Sequence, residues 1–122
     1  MPSEPLRQFI QQRLSSLDQI EIVLLLMRDP GRSWTAPEVA GAVGTATESA
    51  AMRLFLLASG GLIMFEPAAI PRYRYTDSDP AVHAMVVELA EVYQRNRGAI
   101  AALVGAPVDP IRSFADAFKL KK

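Results

Sequence analysis

The four residues Thr35-Ala-Pro-Glu38 constrain the fold of this chain more than any other stretch. The threonine hydroxyl can accept a hydrogen bond from the backbone N–H of Glu38 while the glutamate accepts from the N–H of Thr35, which is a capping box. Pro37 lies in the first turn, where its missing N–H removes no intrahelical bond. Trp34 and Val39 stand at the positions of a hydrophobic staple. The sequence therefore predicts that a helix begins at Thr35.

Glycines then set the lengths of two consecutive helices. Gly44 closes the first helix, which is short, and Gly60-Gly61 stops the second, which spans about residues 47 to 59. Thr45 or Thr47 is the expected cap of the second helix. Its apolar residues at helical spacing form an inward stripe of Ala50, Leu54 and Leu57. Met52, Phe55 and Leu56 lie outside this stripe.

Two further helices are predicted before this pair. The first carries an amphipathic stripe within residues 6–14, which fits either a lid on the core or a dimerisation arm. Ser15 and Ser16 offer caps for the second, which ends near Arg28 before the turn Asp29-Pro-Gly31. Because this second helix is apolar on all sides, it is either the central helix of the fold or in contact with a second subunit.

A β-hairpin is predicted after the glycine pair. The β-prone segments Leu62–Glu66 and Arg72–Thr76 are joined by a five-residue connection with proline at both ends. Alternation in the second strand places Tyr73 and Tyr75 on one face and Arg72 and Arg74 on the other. Ser33 and Trp34 are candidates for a short edge strand.

The last predicted helix is long. It begins at Asp77-Ser-Asp-Pro80 and keeps an apolar stripe over more than five turns, to about Val104. We expect it to project from the core and pair with its own copy, and the alternative is that it folds back over its own domain. Beyond it, the tail carries Ile111, Phe114, Ala115 and Phe118 at helical spacing, which favours docking on the same protein, on a dimer mate or on another protein.

Composition excludes several classes of function. The chain has no cysteine and a single histidine, His83, so we predict no metal site and no disulfide. No nucleophile elbow or phosphate-binding glycine loop is present, and we therefore predict no catalytic residues, no cofactor and no enzyme activity. The longest aliphatic run, Ile22–Met27, is too short to span a bilayer, and we expect a cytoplasmic protein with no membrane partner.

The predicted order of elements is similar to that of the winged helix-turn-helix superfamily. The residues that carry the resemblance are RSWTAPEVAGAVG, then AAMRLFLLASGGLI, then YRYT. Arg53, Leu54, Leu57 and Gly61-Leu-Ile63 resemble the R-x-L-x-x-L-x-x-x-G-L-I ending of many winged-helix regulators, with the arginine one place closer to the leucine. The long last helix looks like the dimerisation helix of MarR-like transcriptional regulators, a bacterial type.

The resemblance implies a mainly α fold with a small β-hairpin, of the α+β class. It divides the chain into an N-terminal helical arm (1–14), a winged helix-turn-helix domain (15–76), a long dimerisation helix (77–105) and an amphipathic tail (106–122). In such proteins the second motif helix enters the major groove and the hairpin tip touches the neighbouring minor groove or backbone. The implied function is a homodimeric regulator that binds duplex DNA. Its expected DNA contacts are Thr47, Ser49, Arg53, Arg72 and Arg74.

The charge of the chain favours a second hypothesis. The net charge is zero, and residues 15–76 contain five basic and six acidic residues, whereas DNA-binding domains are usually basic. The connection between the two β-prone segments is apolar where a basic tip would be expected. The alternative is therefore a winged-helix module that has lost DNA binding and binds another protein. The residues expected to take part are Phe55, Leu56, Ala69, Ile70, Phe114 and Phe118.

Overall fold

Six helices and three short strands account for most of residues 3–104, which are the residues that this computed structural model describes. In chain order they are α1 (Glu4–Arg13), α2 (Leu17–Arg28), β1 (Trp34–Thr35), α3 (Ala36–Val43), α4 (Thr47–Ser59), β2 (Ile63–Glu66), β3 (Arg72–Tyr75), α5 (Pro80–Arg95) and α6 (Arg97–Val104). The mainly helical α+β class is thus confirmed. The hypothesis of a docking tail, with Phe114 and Phe118, falls outside the described residues.

The capping box at the start of α3 is confirmed. The N–H of Thr35 donates to Glu38 Oε1 at 2.9 Å, and the N–H of Glu38 donates to Thr35 Oγ1 at 3.4 Å. Gly44 closes the helix in the left-handed conformation, with φ at 77°. The predicted threonine cap of α4 is wrong, because the N-cap is Ala46, which has no side-chain hydrogen bond. The N–H of Thr45 still donates to Ala40 O, so this residue belongs to the end of α3.

The second helix, α2, is the centre of the fold. Its residues Ile20, Ile22, Val23 and Leu26 are fully buried, although they do not lie on one face of the helix. They are covered because α3, α4, α5 and β3 all pack against α2. Of the two predicted explanations for its apolar character, the structure supports the central helix.

The three strands form one antiparallel sheet in the order β1-β3-β2. Tyr73 pairs with Trp34 on one side and Phe65 on the other, while Arg72 pairs with Thr35 and Glu66. The predicted alternation is confirmed, because the two tyrosines of β3 are buried and its arginines face outward. One face of the sheet therefore belongs to the core, and the other carries the two arginines of β3 and the exposed side chain of Met64.

The predicted continuous helix over residues 77–105 is corrected by the structure, which divides it into α5 and α6 at Asn96. The Asn96 Oδ1 accepts from the N–H of Ala99 at 3.1 Å, as an N-cap does, and Gly98 adds a residue of low helix propensity. Both helices pack against α1, and Ile100 of α6 is fully buried. This supports the alternative that the segment folds back over its own domain, with α1 as a lid.

The corner between α5 and α6 is tied to α2 by one carboxylate. Glu21 Oε2 accepts from the Tyr93 hydroxyl at 2.8 Å and from Arg97 Nη2 at 2.9 Å. Burial and the hydrogen bond to Glu21 raise the pKa of Tyr93. These contacts place both helices against the core from which the predicted dimerisation helix was expected to project.

The buried tyrosine Tyr75 makes the free energy of unfolding depend on pH in the alkaline range. Burial, with a smaller contribution from Asp77, raises the pKa of Tyr75 to about 12, and its hydroxyl lies 2.7 Å from His83 Nδ1. An unfolded tyrosine titrates near pH ~10, so the stabilisation is complete below that pH and is lost as the pH rises towards the folded pKa. We expect the free energy of unfolding to fall above about pH 10 by at most ~1.4 kcal/mol per pH unit from this group.

Urea denaturation at several pH values from neutral to strongly alkaline measures this slope. Tyr75→Phe is expected to make the slope shallower, because Tyr93 is then the only tyrosine of the described residues whose pKa is raised. An unchanged slope in Tyr75→Phe would contradict the assignment.

Candidate functional site

Large apolar side chains are exposed mainly on α4 and the hairpin. Among the described residues there are seven of them, and six belong to these elements. They are Met52, Phe55 and Leu56 on α4, Met64 and Phe65 on β2, and Ile70 in the connection, whereas Val87 lies on α5. A gathering of this kind marks an interaction surface more often than single exposed residues do.

An apolar cleft of about 300 Å³ lies between α4 and the hairpin, and we refer to it as the α4–hairpin cleft. It is lined by Phe55, Ala58, Ser59, Phe65 and Tyr73. Phe55 is 60% exposed and Phe65 is 47% exposed, so both rings remain open to an incoming group. The rings of Phe65 and Tyr73 lie 5.5 Å apart between centroids, at an angle of 59°.

Local sequence explains why the cleft forms. Phe55 and Ser59 are four residues apart and therefore lie on the same face of α4. Ala58 and Ser59 are small, which leaves room between the helix and the sheet. Phe65 pairs with Tyr73 across the hairpin and lies on the core-facing side, two residues beyond buried Ile63.

Arg53, a predicted DNA contact, is partly buried against α2. Its Nε lies 3.9 Å from Asp18 Oδ2, and 29% of its side chain is exposed. That Nε is buried and has no hydrogen-bond partner among residues 3–104. The guanidinium is therefore partly neutralised by Asp18 before any phosphate approaches.

The arginines of β3 face outward but share their surroundings with carboxylates. Arg74 Nε lies 3.3 Å from Glu66 Oε2, and Glu66 Oε1 accepts a hydrogen bond from the Ser33 hydroxyl. Arg72 is exposed and forms no ion pair within the described part of the chain. The hairpin therefore offers one freely exposed cation, Arg72, and one that is paired.

The carboxylate of Glu38 lies near the basic side chains of Arg32 and Arg72. The hydrogen bond from the Thr35 N–H lowers the pKa of Glu38, and the positive charges of Arg32 and Arg72 lower it further. The Arg32 guanidinium carbon lies 3.5 Å from the centre of the Trp34 ring, a cation–π contact. Glu38 therefore offsets part of the positive charge of Arg32 and Arg72 without forming an ion pair with either.

The other predicted contacts occupy the start of α4 and the hairpin tip. Thr47 is exposed, Ser49 is half-buried, and Glu48 between them is an exposed carboxylate in the first turn. Ala69 and Ile70 are both exposed at the tip, as the protein-binding hypothesis expects.

Sequence reasoning missed Phe65 and Tyr73 as members of the site. Alternation predicts only that Tyr73 shares a face with Tyr75, and Phe65 is predicted only as part of a strand; in the structure most of the Tyr73 side chain is buried. The signal was available in the alternation of β2, which puts Phe65 on the core side but near the connection between the two strands.

The described residues contain no group of three or more His, Asp or Glu side chains arranged to hold a metal ion. Among their helices, none combines the length and the apolar character that crossing a membrane requires. A comparison with protein-family models finds no match for this chain, and a comparison with curated proteins finds none either.

Proposed function

We propose that this chain is a cytoplasmic protein-interaction module, built on a winged-helix scaffold, that binds an amphipathic helix of a partner in the α4–hairpin cleft. The observation that carries the proposal is an apolar cleft whose aromatic walls, Phe55 and Phe65, are exposed, between the two elements that carry most of the exposed apolar side chains. Helix-in-groove recognition uses this kind of surface, with apolar anchors of the ligand at helical spacing.

The aromatic walls supply the binding energy in this proposal. Phe55 and Phe65 each retain about half of their surface in contact with water. Covering that surface with a partner's apolar side chain contributes on the order of 1 kcal/mol for each ring. Such an interface suits a reversible complex of modest affinity rather than a permanent one.

The electrostatics of the same region support a protein ligand over a phosphate backbone. Each phosphate contact on duplex DNA needs a cation that is free to replace a counterion. Arg53 faces Asp18 and Arg74 faces Glu66, so two of the three arginines expected to contact DNA are already beside a carboxylate.

The second candidate function is the winged-helix DNA-binding regulator acting as a homodimer through residues 77–105. In its favour, α3 and α4 pack on each other and are followed by a hairpin whose outward face carries Arg72 and Arg74. The exposed Thr47 at the start of α4 also fits this function.

A display library of amphipathic helical peptides, selected on the full chain, tests the proposed function. We expect the selected peptides to bind the wild type and to lose at least about tenfold in affinity with Phe55→Ser or Phe65→Ser, a change of ~1.4 kcal/mol. Val87→Ser is the matched control, because Val87 is an exposed apolar residue on α5, outside the cleft.

The DNA candidate is tested by fluorescence anisotropy with random-sequence duplex DNA at low and moderate salt. Tight binding at low salt that weakens steeply with salt and is lost in Arg72→Ala would favour the regulator. Together with peptides that bind the Phe55→Ser variant as well as the wild type, that result would overturn the proposed function.

A further inference from the structure

We infer that the C-terminal segment of this chain, residues 105–122, docks in the α4–hairpin cleft of the same molecule. The inference rests on the proposed function, because it assigns an internal ligand to the same site. In the isolated protein the segment then covers the surface that a partner helix would use.

The pattern of the segment matches the chemistry of the cleft. Ile111, Phe114 and Phe118 follow the spacing i, i+3, i+7, which is the anchor pattern of a helix that binds in a groove. The cleft of about 300 Å³ is lined by two rings tilted relative to each other, those of Phe65 and Tyr73. A further phenylalanine can pack on such rings edge to face, which adds to the area that it buries.

Charge complementarity favours contact between the segment and the domain. Residues 3–104 contain nine basic and eleven acidic side chains, a net charge of −2, whereas residues 105–122 contain four basic and two acidic ones, a net charge of +2. All three lysines of the chain, Lys119, Lys121 and Lys122, lie in the segment. Opposite charges steer the segment towards the domain, and salt weakens this attraction.

The length of the segment is comparable with the dimensions of the domain. Six residues, 105–110, lie between Val104, the end of α6, and Ile111, the first anchor. When extended, this connection spans up to about 24 Å, and a domain of this size has a radius of gyration of about 14 Å. Because the segment is covalently attached, its effective concentration at the cleft is on the order of millimolar. A contact with a dissociation constant in that range is therefore populated.

The absence of cysteine in the chain permits a direct test by disulfide trapping. The full chain carries Ser59→Cys, in the wall of the cleft, together with Ala115→Cys, between the two phenylalanines of the segment. The control pair combines Ala115→Cys with Gln94→Cys, an exposed position on α5, which does not line the cleft. Mild oxidation followed by non-reducing electrophoresis measures the rate of cross-linking within one chain.

We expect the Ser59→Cys pair to cross-link within one chain at least about tenfold faster than the control pair, a population difference of ~1.4 kcal/mol. Adding Phe114→Ala and Phe118→Ala is expected to remove most of that difference. Equal rates for the two pairs, or cross-links that form only between chains, would overturn the inference.

A binding measurement separates this inference from the proposed function. A helical peptide selected on the chain is expected to bind several-fold more tightly to the Phe114→Ala, Phe118→Ala variant, because the competing segment is weakened. Equal affinity for variant and wild type, with no cross-linking preference, overturns the docked segment and leaves the proposed function standing. A third outcome supports the docked segment and overturns the proposed function. In it, the Ser59→Cys pair cross-links fast, but no helical peptide binds the chain, and none binds the Phe114→Ala, Phe118→Ala variant either.

Discussion

Leu54→Ala is expected to lower the free energy of unfolding by about 3 kcal/mol, whereas Phe55→Ala, one residue further along α4, changes it by less than ~1 kcal/mol. Leu54 is 0% exposed, and its truncation leaves a cavity that the surrounding helices cannot fully close. Phe55 is 60% exposed, so its truncation opens no cavity and places alanine, a better helix former, on the surface.

Urea denaturation of the two variants and the wild type, followed by circular dichroism, measures both changes. Peptide binding is expected to show the opposite order, with a large loss in Phe55→Ala and little loss in Leu54→Ala at temperatures where that variant stays folded. A loss of stability in Phe55→Ala as large as that in Leu54→Ala would mean that Phe55 belongs to the core and not to a binding surface.

The contrast between these neighbours explains why the core was predictable from the sequence. Helical spacing placed Ala50, Leu54 and Leu57 on the inner face of α4, and all three are buried. The capping box at Thr35 and the glycine at the end of α3 are local signals, and the structure has both where they were expected. Signals of this kind depend on residues within four positions of each other, which is why a single sequence contains them.

The break at Asn96 was not predicted, because the apolar stripe continues across it. Val92 and Ile100 keep helical spacing on either side, and periodicity alone cannot distinguish one long helix from two short helices that pack on the same core. The decisive features are local and polar, namely the capping side chain of Asn96 and the glycine two residues later. Such signals outweigh a continuous apolar stripe when a neighbouring helix buries the apolar residues that follow the break, as α1 does for α6.

The candidate site was predictable only in part. Exposure of Phe55 and Leu56 followed from their positions outside the inner stripe of α4, and Ile70 lies in the hairpin connection; the structure has all three exposed. The cleft itself depends on a contact between α4 and β2, which are brought together by the turn at Gly60-Gly61. The pairing of Arg53 with a carboxylate depends on a tertiary contact as well, since Asp18 belongs to another helix.

Ile100→Ala is the second substitution with a large expected effect, about 3 kcal/mol of stability. Ile100 is the buried residue of α6, and its side chain joins the core beside α1. Because this burial occurs within one chain, the loss is expected to be the same at low and high protein concentration. Val87→Ala is the matched control, since Val87 is 38% exposed on α5 and its truncation leaves no cavity.

Chemical denaturation at two protein concentrations that differ about a hundredfold distinguishes burial within one chain from burial between two copies. If residues 77–105 stabilised the fold mainly by pairing with a second copy, the denaturation midpoint of the wild type would rise with concentration, and Ile100→Ala would reduce that rise. A midpoint that does not move, with the full loss in Ile100→Ala and little in Val87→Ala, assigns the stability of α5 and α6 to their contacts with α1 and α2. The self-contained core would then leave the α4–hairpin cleft as the apolar surface available for recognition.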